Sequence, residues 1–253
     1  MEAHALTQYL LYQLYHARVS IHSLKYEGKE EQLHEFRVAL RRIRSLVKLF
    51  LDDSLPFPKT LKTMMKITNP LREFDVLLDS LTPTQYPKLF KQLSKLRKES
   101  FITLFTPEFI DRTLFLMDEY SDLLSQANPN FISEILIQKV LTHYQQCLET
   151  YTALEHDAKP KQLHQLRIKF KDARYGFEFL EVSEIHKCRA IILRCKKMQN
   201  TLGAVQDAVN QVKWLKNFYQ EYPSSEAKDL LRKRKKVLKE LKNTTLTGDK
   251  TNR

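Results

Sequence analysis

Apolar side chains recur at intervals of three and four residues along almost the whole chain, the spacing that gathers them on one face of an α-helix. Cut at its turn signals, this pattern predicts helices over 3–26, 30–52, 58–81, 85–105, 108–127, 131–157, 161–182, 186–219 and 224–242. Their lengths suit antiparallel packing. The breaks fall at Gly28, Pro56 with Pro58, Pro83 with Pro87, Pro107, Pro129, Pro160, around Ser183, and at Pro223. Pro70 lies inside the third segment and is expected to kink or split it, because its ring clashes with the preceding turn and it has no N–H to donate. Only Gly28, Gly176, Gly203 and Gly248 are glycines, and Leu, Lys, Glu, Gln and Arg fill the space between prolines. The fold class read from this is all-α.

The pattern also repeats itself. Residues 33–50 read LHEFRVALRRIRSLVKLF and residues 163–180 read LHQLRIKFKDARYGFEFL, an offset of 130 positions. Leu33, His34, Arg37 and Arg44 recur as Leu163, His164, Arg167 and Arg174, while Arg41 becomes Lys171 and Val38 becomes Ile168. A weaker second element follows each copy at a similar distance: Asn69-Pro70-Leu71-Arg72-Glu73 after the first, Gly203-Ala204-Val205-Gln206-Asp207 after the second. The chain therefore divides into two related helical halves, about 1–105 and 108–222, followed by a basic C-terminal helix and polar tail over 223–253.

Projected at about 100° per residue, Arg37, Arg41, Arg44 and Lys48 fall within an arc of roughly 80° that includes His34. Phe36, Ala39, Leu40, Ile43, Leu46, Val47 and Phe50 occupy the opposite, core-facing side, and Arg42 lies off the stripe. The second copy places His164, Arg167, Lys171 and Arg174 on one side, and Leu166, Phe170, Ala173, Phe177 and Leu180 on the other. Two departures stand out. Glu178 replaces Lys48, which should weaken the second stripe at its C-terminal end, and Lys169 replaces Ala39. Successive cations on a stripe are about 4.5–6 Å apart along the helix axis, a spacing that suits a linear chain of anionic groups. Arg offers planar forks for phosphate oxygens and Lys a movable point charge. A solvated face needs only to be polar. Both copies instead keep the same cations at the same angles, flanked by apolar Val38, Leu49 and Ile168, which marks a recessed binding stripe.

Charge adds the sign of the partner. Lys plus Arg outnumber Asp plus Glu by 42 to 30, a net charge of +12, so an acidic partner is expected. The first residues lack the basic and apolar regions of a secretory signal, and no segment has the length of an apolar membrane span; the expectation is a cytoplasmic protein with no membrane partner. Cys147, Cys188 and Cys195 form no CxxC pair and are expected to be reduced core residues.

At these two segments the chain resembles the CHAD family, the conserved histidine α-helical domain, whose hallmark is a duplicated HxxRVxxRRxRxxxxxF-like and HxxRIxxKxxRYxxEF-like helix. His34 to Phe50 and His164 to Phe179, with Tyr175 and Glu178, carry that resemblance. Leu202-Gly203-Ala204-Val205-Gln206-Asp207 is similar to the family's LGxxxD turn, and Arg72-Glu73 stands where the first half usually has Arg-Asp. The resemblance spans roughly residues 1–220. It implies two four-helix bundles related by a pseudo-twofold axis, with basic surfaces facing a central groove or pore. It also implies binding of inorganic polyphosphate and association with polyphosphate granules. The expected polyphosphate contacts are His34, Arg37, Arg41, Arg42, Arg44, Lys48, His164, Arg167, Lys171, Arg174 and Tyr175, with Arg194 and Lys197 ahead of the LGxxxD-like turn.

Other chemistries fit less well. The chain has no ExExK strand, P-loop, HExxH or nucleophile elbow, and the stripes hold almost no carboxylates for a catalytic metal, so no catalysis is expected. His34 and His164 sit among cations that would repel a metal ion, and neither metal nor cofactor is expected. Sequence-independent binding of RNA or DNA through phosphates is the alternative reading. Single-strand binders, however, interleave cations with aromatics for stacking, and here only Tyr175 borders a stripe. Lys88, Lys91, Lys95 and Lys98 form a further stripe that reads on its own as a solvated face. Lys228 to Lys242, with eight basic residues against Asp229 and Glu240, reads at least as well as a solvated helix as it does as a further binding face.

Overall fold

The structure is a computed structural model that describes residues 4–51, 57–127, 131–154, 158 and 160–247. Ten α-helices account for its regular structure, with no strand among the described residues. They are α1 (Ala5–Glu27), α2 (Glu30–Phe50), α3 (Phe57–Ile67), α4 (Asn69–Asp79) and α5 (Pro87–Leu104), then α6 (Pro107–Ala127), α7 (Ser133–Thr152), α8 (Pro160–Val182), α9 (Arg189–Glu221) and α10 (Ser225–Thr247). The all-α expectation holds.

Proline sets many of the boundaries. Pro87, Pro107 and Pro160 each open a helix, where a missing N–H costs nothing and φ is already helical. Pro70 splits the third expected segment into α3 and α4. Thr68 stands at the break, fully buried, its hydroxyl 3.0 Å from the Met64 carbonyl. At the end of α1, Gly28 takes a left-handed φ of 57°, and a Cβ there would lie 3.0 Å from the Phe101 ring.

Packing divides the chain into two compact units that interleave along the sequence. The first comprises Met1–Leu81, Lys91–Val140 and Tyr175–Cys188, the second Thr82–Phe90, Leu141–Arg174 and Arg189–Arg253. This division follows contacts, whereas the one near residues 105–108 follows the sequence repeat. In the first unit, Leu10, Leu14, Ile21 and Leu24 of α1 and Phe36, Leu40 and Ile43 of α2 are fully buried, and α1 packs against α2 and α6. Each such side chain contributes roughly 1.5–3 kcal/mol by leaving water. Phe179 joins them, its ring 5.4 Å from Tyr9 and 5.6 Å from Phe50. Gly176 brings α8 close to α2 and α7, since a Cβ would meet Leu49 and Val140 at 3.0 Å.

In the second unit α10 packs along α9, and Phe170, Cys195, Leu202 and Leu215 form the buried centre. All three cysteines are buried and outside any disulfide. Burial pushes the Cys147 thiol up to about 12 and the Cys188 thiol to about 11, so both are protonated at neutral pH. No helix among the described residues is long and apolar enough to cross a membrane.

Candidate functional site

The two repeated helices place one cationic stripe in each unit, on α2 and on the Pro160–Arg174 part of α8. On α2 the stripe runs from buried to exposed. Arg37 is 8% exposed, His34, Arg41 and Arg44 are half-buried, and Lys48 is exposed. Arg37 reaches sideways into the α3–α4 break. Its Nη1 donates to the Met65 carbonyl and to Thr68 Oγ1, both at 2.6 Å, and its Nη2 to Asn69 Oδ1 at 3.0 Å. Arg41 Nε donates to the Arg37 carbonyl at 3.0 Å, one helical turn back.

Arg42 was expected among the contacts although it lies off the stripe. It sits 3.6 Å from Glu178, with both side chains at least two-thirds covered. Glu178, read as a weakening of the second stripe, is thus partnered with an arginine of α2.

The second stripe is built alike with one difference. His164, Arg167, Lys171 and Arg174 are half-buried. Arg167 Nη2 donates to Asp207 Oδ2 at 3.3 Å, and Gly203 makes room for it: a Cβ there would lie 2.7 Å from Arg167 Nε. Both motif arginines therefore engage the second shared element of their own half. In the first half the helix breaks at Thr68, just ahead of Pro70, and the Met65 carbonyl beside the break accepts from Arg37. In the second, α9 runs unbroken through Gly203, and among the described residues the guanidinium donates to the Asp207 carboxylate.

Tyr175, expected at the stripe's edge, is 3% exposed and belongs to the core in this conformation. Arg194 is exposed on α9 and hydrogen-bonds Tyr144 of α7, while Lys197 is exposed. Lys88, Lys91, Lys95 and Lys98 are all exposed, and Lys95 lies 3.8 Å from Glu99.

A family model for the CHAD domain matches residues 8–216. The chain belongs to the CHAD family. A crystal structure of the CHAD domain from the plant Ricinus communis has the same fold, with a TM-score of 0.75 at 19% identity over 98% of this chain and 88% of that one. No curated protein sequence matches the chain.

The two motif histidines of this CHAD chain occupy similar environments. Burial lowers the His34 pKa, and the cations Arg72 and Arg41 lower it further, against Glu35 and Glu31. Burial likewise lowers that of His164, followed by Arg167 and Lys171, against Asp207. Each imidazole has a buried Nδ1 with no hydrogen-bond partner among the described residues. Both rings are therefore neutral at pH 7, each beside at least two cations.

Arg72 was missed by the sequence reading as a site residue. It comes from α4, faces His34 and lies 3.9 Å from Asp75. Asp75 is fully buried and accepts from Arg97 Nε at 2.9 Å, while Arg97 Nη1 donates to the Gly28 carbonyl at 2.9 Å. The signal was present. Asp75 lies one turn beyond Leu71 on the buried face of α4, where an unpaired carboxylate would be untenable.

The depressed histidines fix a pH trend for the unliganded protein. Between the lowered native pKa and the ordinary value near 6.5, the unfolded chain binds more protons than the folded one. Stability should therefore be full above about pH 7 and decline as pH falls through 6.5. The decline should be shallower in a His34→Gln, His164→Gln variant, and thermal melts between pH 5 and 8 measure it. Parallel declines in the two proteins would remove the histidines from the account.

Proposed function

We propose that this chain binds inorganic polyphosphate, without turning it over, through the stripes on α2 and α8. The observation that carries this reading is the recurrence, in each unit, of a half-buried neutral histidine beside at least two cations. Such clusters cost electrostatic energy when empty. A linear anion with a charge on every unit offsets the repulsion along its whole length, whereas a compact anion neutralises one position. Arg41, Arg44, Lys48 and Arg72 would contact the chain from α2 and α4, and Lys171, Arg174 and Arg167 from α8. Arg37 acts as a positioning residue, holding α4 and thus Arg72 beside His34.

The scarcity of carboxylates on the stripes supports binding over hydrolysis, because phosphoanhydride cleavage generally relies on carboxylate-held metal ions. The corresponding place in the cell is the cytoplasm, at polyphosphate granules.

Thermal melts at near-physiological salt test the reading. Long-chain polyphosphate should raise the melting temperature, by about 2.7 kcal/mol of added stability at a hundredfold excess over Kd. Monophosphate at equal total phosphate should do far less, and no monophosphate should be released from the polymer. Binding should strengthen as pH falls from 8 to 6, because the polyanion draws protons onto His34 and His164. Equal stabilisation by single-stranded RNA would favour nucleic acid as the ligand, and no stabilisation by either would overturn both readings.

A further inference from the structure

The C-terminal helix α10 lies beyond residues 8–216, the segment matched by the CHAD model. Its first turns are firmly docked. Ala227, Leu230 and Leu231 are buried, and no described side chain beyond Leu231 on this helix is. The acids hold it in place. Glu226 Oε2 accepts from the Leu89 N–H at 2.8 Å, within the first turn of α5, where a carboxylate also meets the positive end of the helix dipole. Asp229 Oδ2 accepts from the Tyr86 hydroxyl at 3.0 Å, and Lys233 Nζ donates to that hydroxyl at 2.7 Å while lying 5.2 Å from the ring centroid.

Several of the cations lie away from these anchors. At about 100° per residue, Lys228, Arg232, Lys235 and Lys239 fall within an arc of roughly 60°. All four are exposed. Arg232 pairs with Asp229 at 2.9 Å, and Lys236, outside the arc, lies 4.0 Å from Glu240. Lys228, Lys235 and Lys239 have no ion-pair partner among the described residues. A helix built only for solubility laces acids and bases at i, i+4. Here Glu226 and Asp229 are engaged with α5 and Tyr86, and the row Lys228, Arg232, Lys235 and Lys239 faces water with only Arg232 paired among the described residues, at the same three- and four-residue steps as the α2 stripe.

We propose that the Lys228–Arg232–Lys235–Lys239 face of α10 is a second contact surface for the linear phosphate polymer, engaging lengths of a long chain that the α2 and α8 stripes leave free. The identity of the polymer rests on the polyphosphate reading; the surface itself rests on α10. No aromatic side chain occurs between Ser225 and Thr247, so the face lacks the stacking platform a single-stranded nucleic acid would use. Exposed cations of this kind act by raising encounter rates and by adding a second point of attachment, so their effect should grow with chain length.

The test compares the native chain with K228Q/R232Q/K235Q/K239Q and, as a control of equal charge change, K88Q/K91Q/K95Q/K98Q on α5. Glutamine keeps helix propensity. K235Q/K239Q, which alters only positions beyond the last buried residue, serves if the quadruple variant loses helicity. Affinity for long-chain polyphosphate should fall about tenfold in the α10 variant and less than threefold in the control. Affinity for chains of a few phosphates should be unchanged, and the salt dependence of long-chain binding should flatten. Equal losses in the two variants, or an equal loss for short chains, would overturn the proposal while leaving the polyphosphate reading intact. Loss of duplex nucleic-acid binding with long-chain polyphosphate affinity retained would assign the face to nucleic acid instead. A native chain that binds no polyphosphate of any length would refute both.

Discussion

Replacing Arg44 and Arg174 together by glutamate should weaken polyphosphate binding several hundredfold while the helical content stays that of the native chain. The two residues hold equivalent positions in the repeat, and both are half-buried on their stripes. A charge-assisted contact to phosphate contributes about 1.5–3 kcal/mol. At the lower end of that range, losing one on each stripe removes about 3 kcal/mol, a factor of more than a hundred, and the like charge placed against the polymer raises this to several hundred. Reversal of Lys91 and Lys98, both exposed on α5, changes net charge equally and should cost less than threefold. Isothermal titration at fixed salt reads both numbers. Matching losses would mean that overall basicity, and not the repeated stripe, carries the affinity.

Arg37→Ala should destabilise the fold by about 3 kcal/mol, because a buried guanidinium that satisfies three acceptors at the α3–α4 break is lost. For a chain of this size that is a fall of roughly ten degrees in melting temperature. Burial, with Arg41 and Arg72 nearby, lowers the Arg37 pKa to about 10, so it remains a cation at neutral pH and its acceptors are charge-assisted. Arg37→Lys should recover less than half of the loss, since one ammonium cannot reach the Met65 carbonyl, Thr68 and Asn69 together. Arg167→Ala, at the repeat-equivalent position, should cost under about 1 kcal/mol: its partner Asp207 is 54% exposed and 3.3 Å away. Chemical denaturation of the three variants resolves the contrast. Equal, small costs for Arg37→Ala and Arg167→Ala would show that the α3–α4 junction does not depend on Arg37.

That contrast also bears on how binding data are read. A charge reversal at Arg37 would remove polymer binding by misplacing α4 and Arg72, without Arg37 touching a phosphate. Arg44, Lys48 and Lys171 report on the ligand more directly, because they are more exposed than Arg37.

Much of this was legible in the amino-acid order because helices are local. Spacing of three and four residues, near-absence of glycine and the placing of Pro87, Pro107 and Pro160 act within a few residues of themselves, so they determined the helical class and most boundaries. Pro70 determined the split into α3 and α4 for the same reason. The angular order of His34, Arg41, Arg44 and Lys48 follows from 3.6 residues per turn, and it too needed no tertiary information. What only the tertiary structure decided is which cations remain available. Burial of a helical side chain depends on what another helix brings against it: the opened turn at Thr68 draws Arg37 inward, Glu178 takes Arg42, and packing encloses Tyr175. The same long-range contacts bring Arg72 to His34 and Asp75 to Arg97 from separate helices, a proximity that no spacing along the chain encodes.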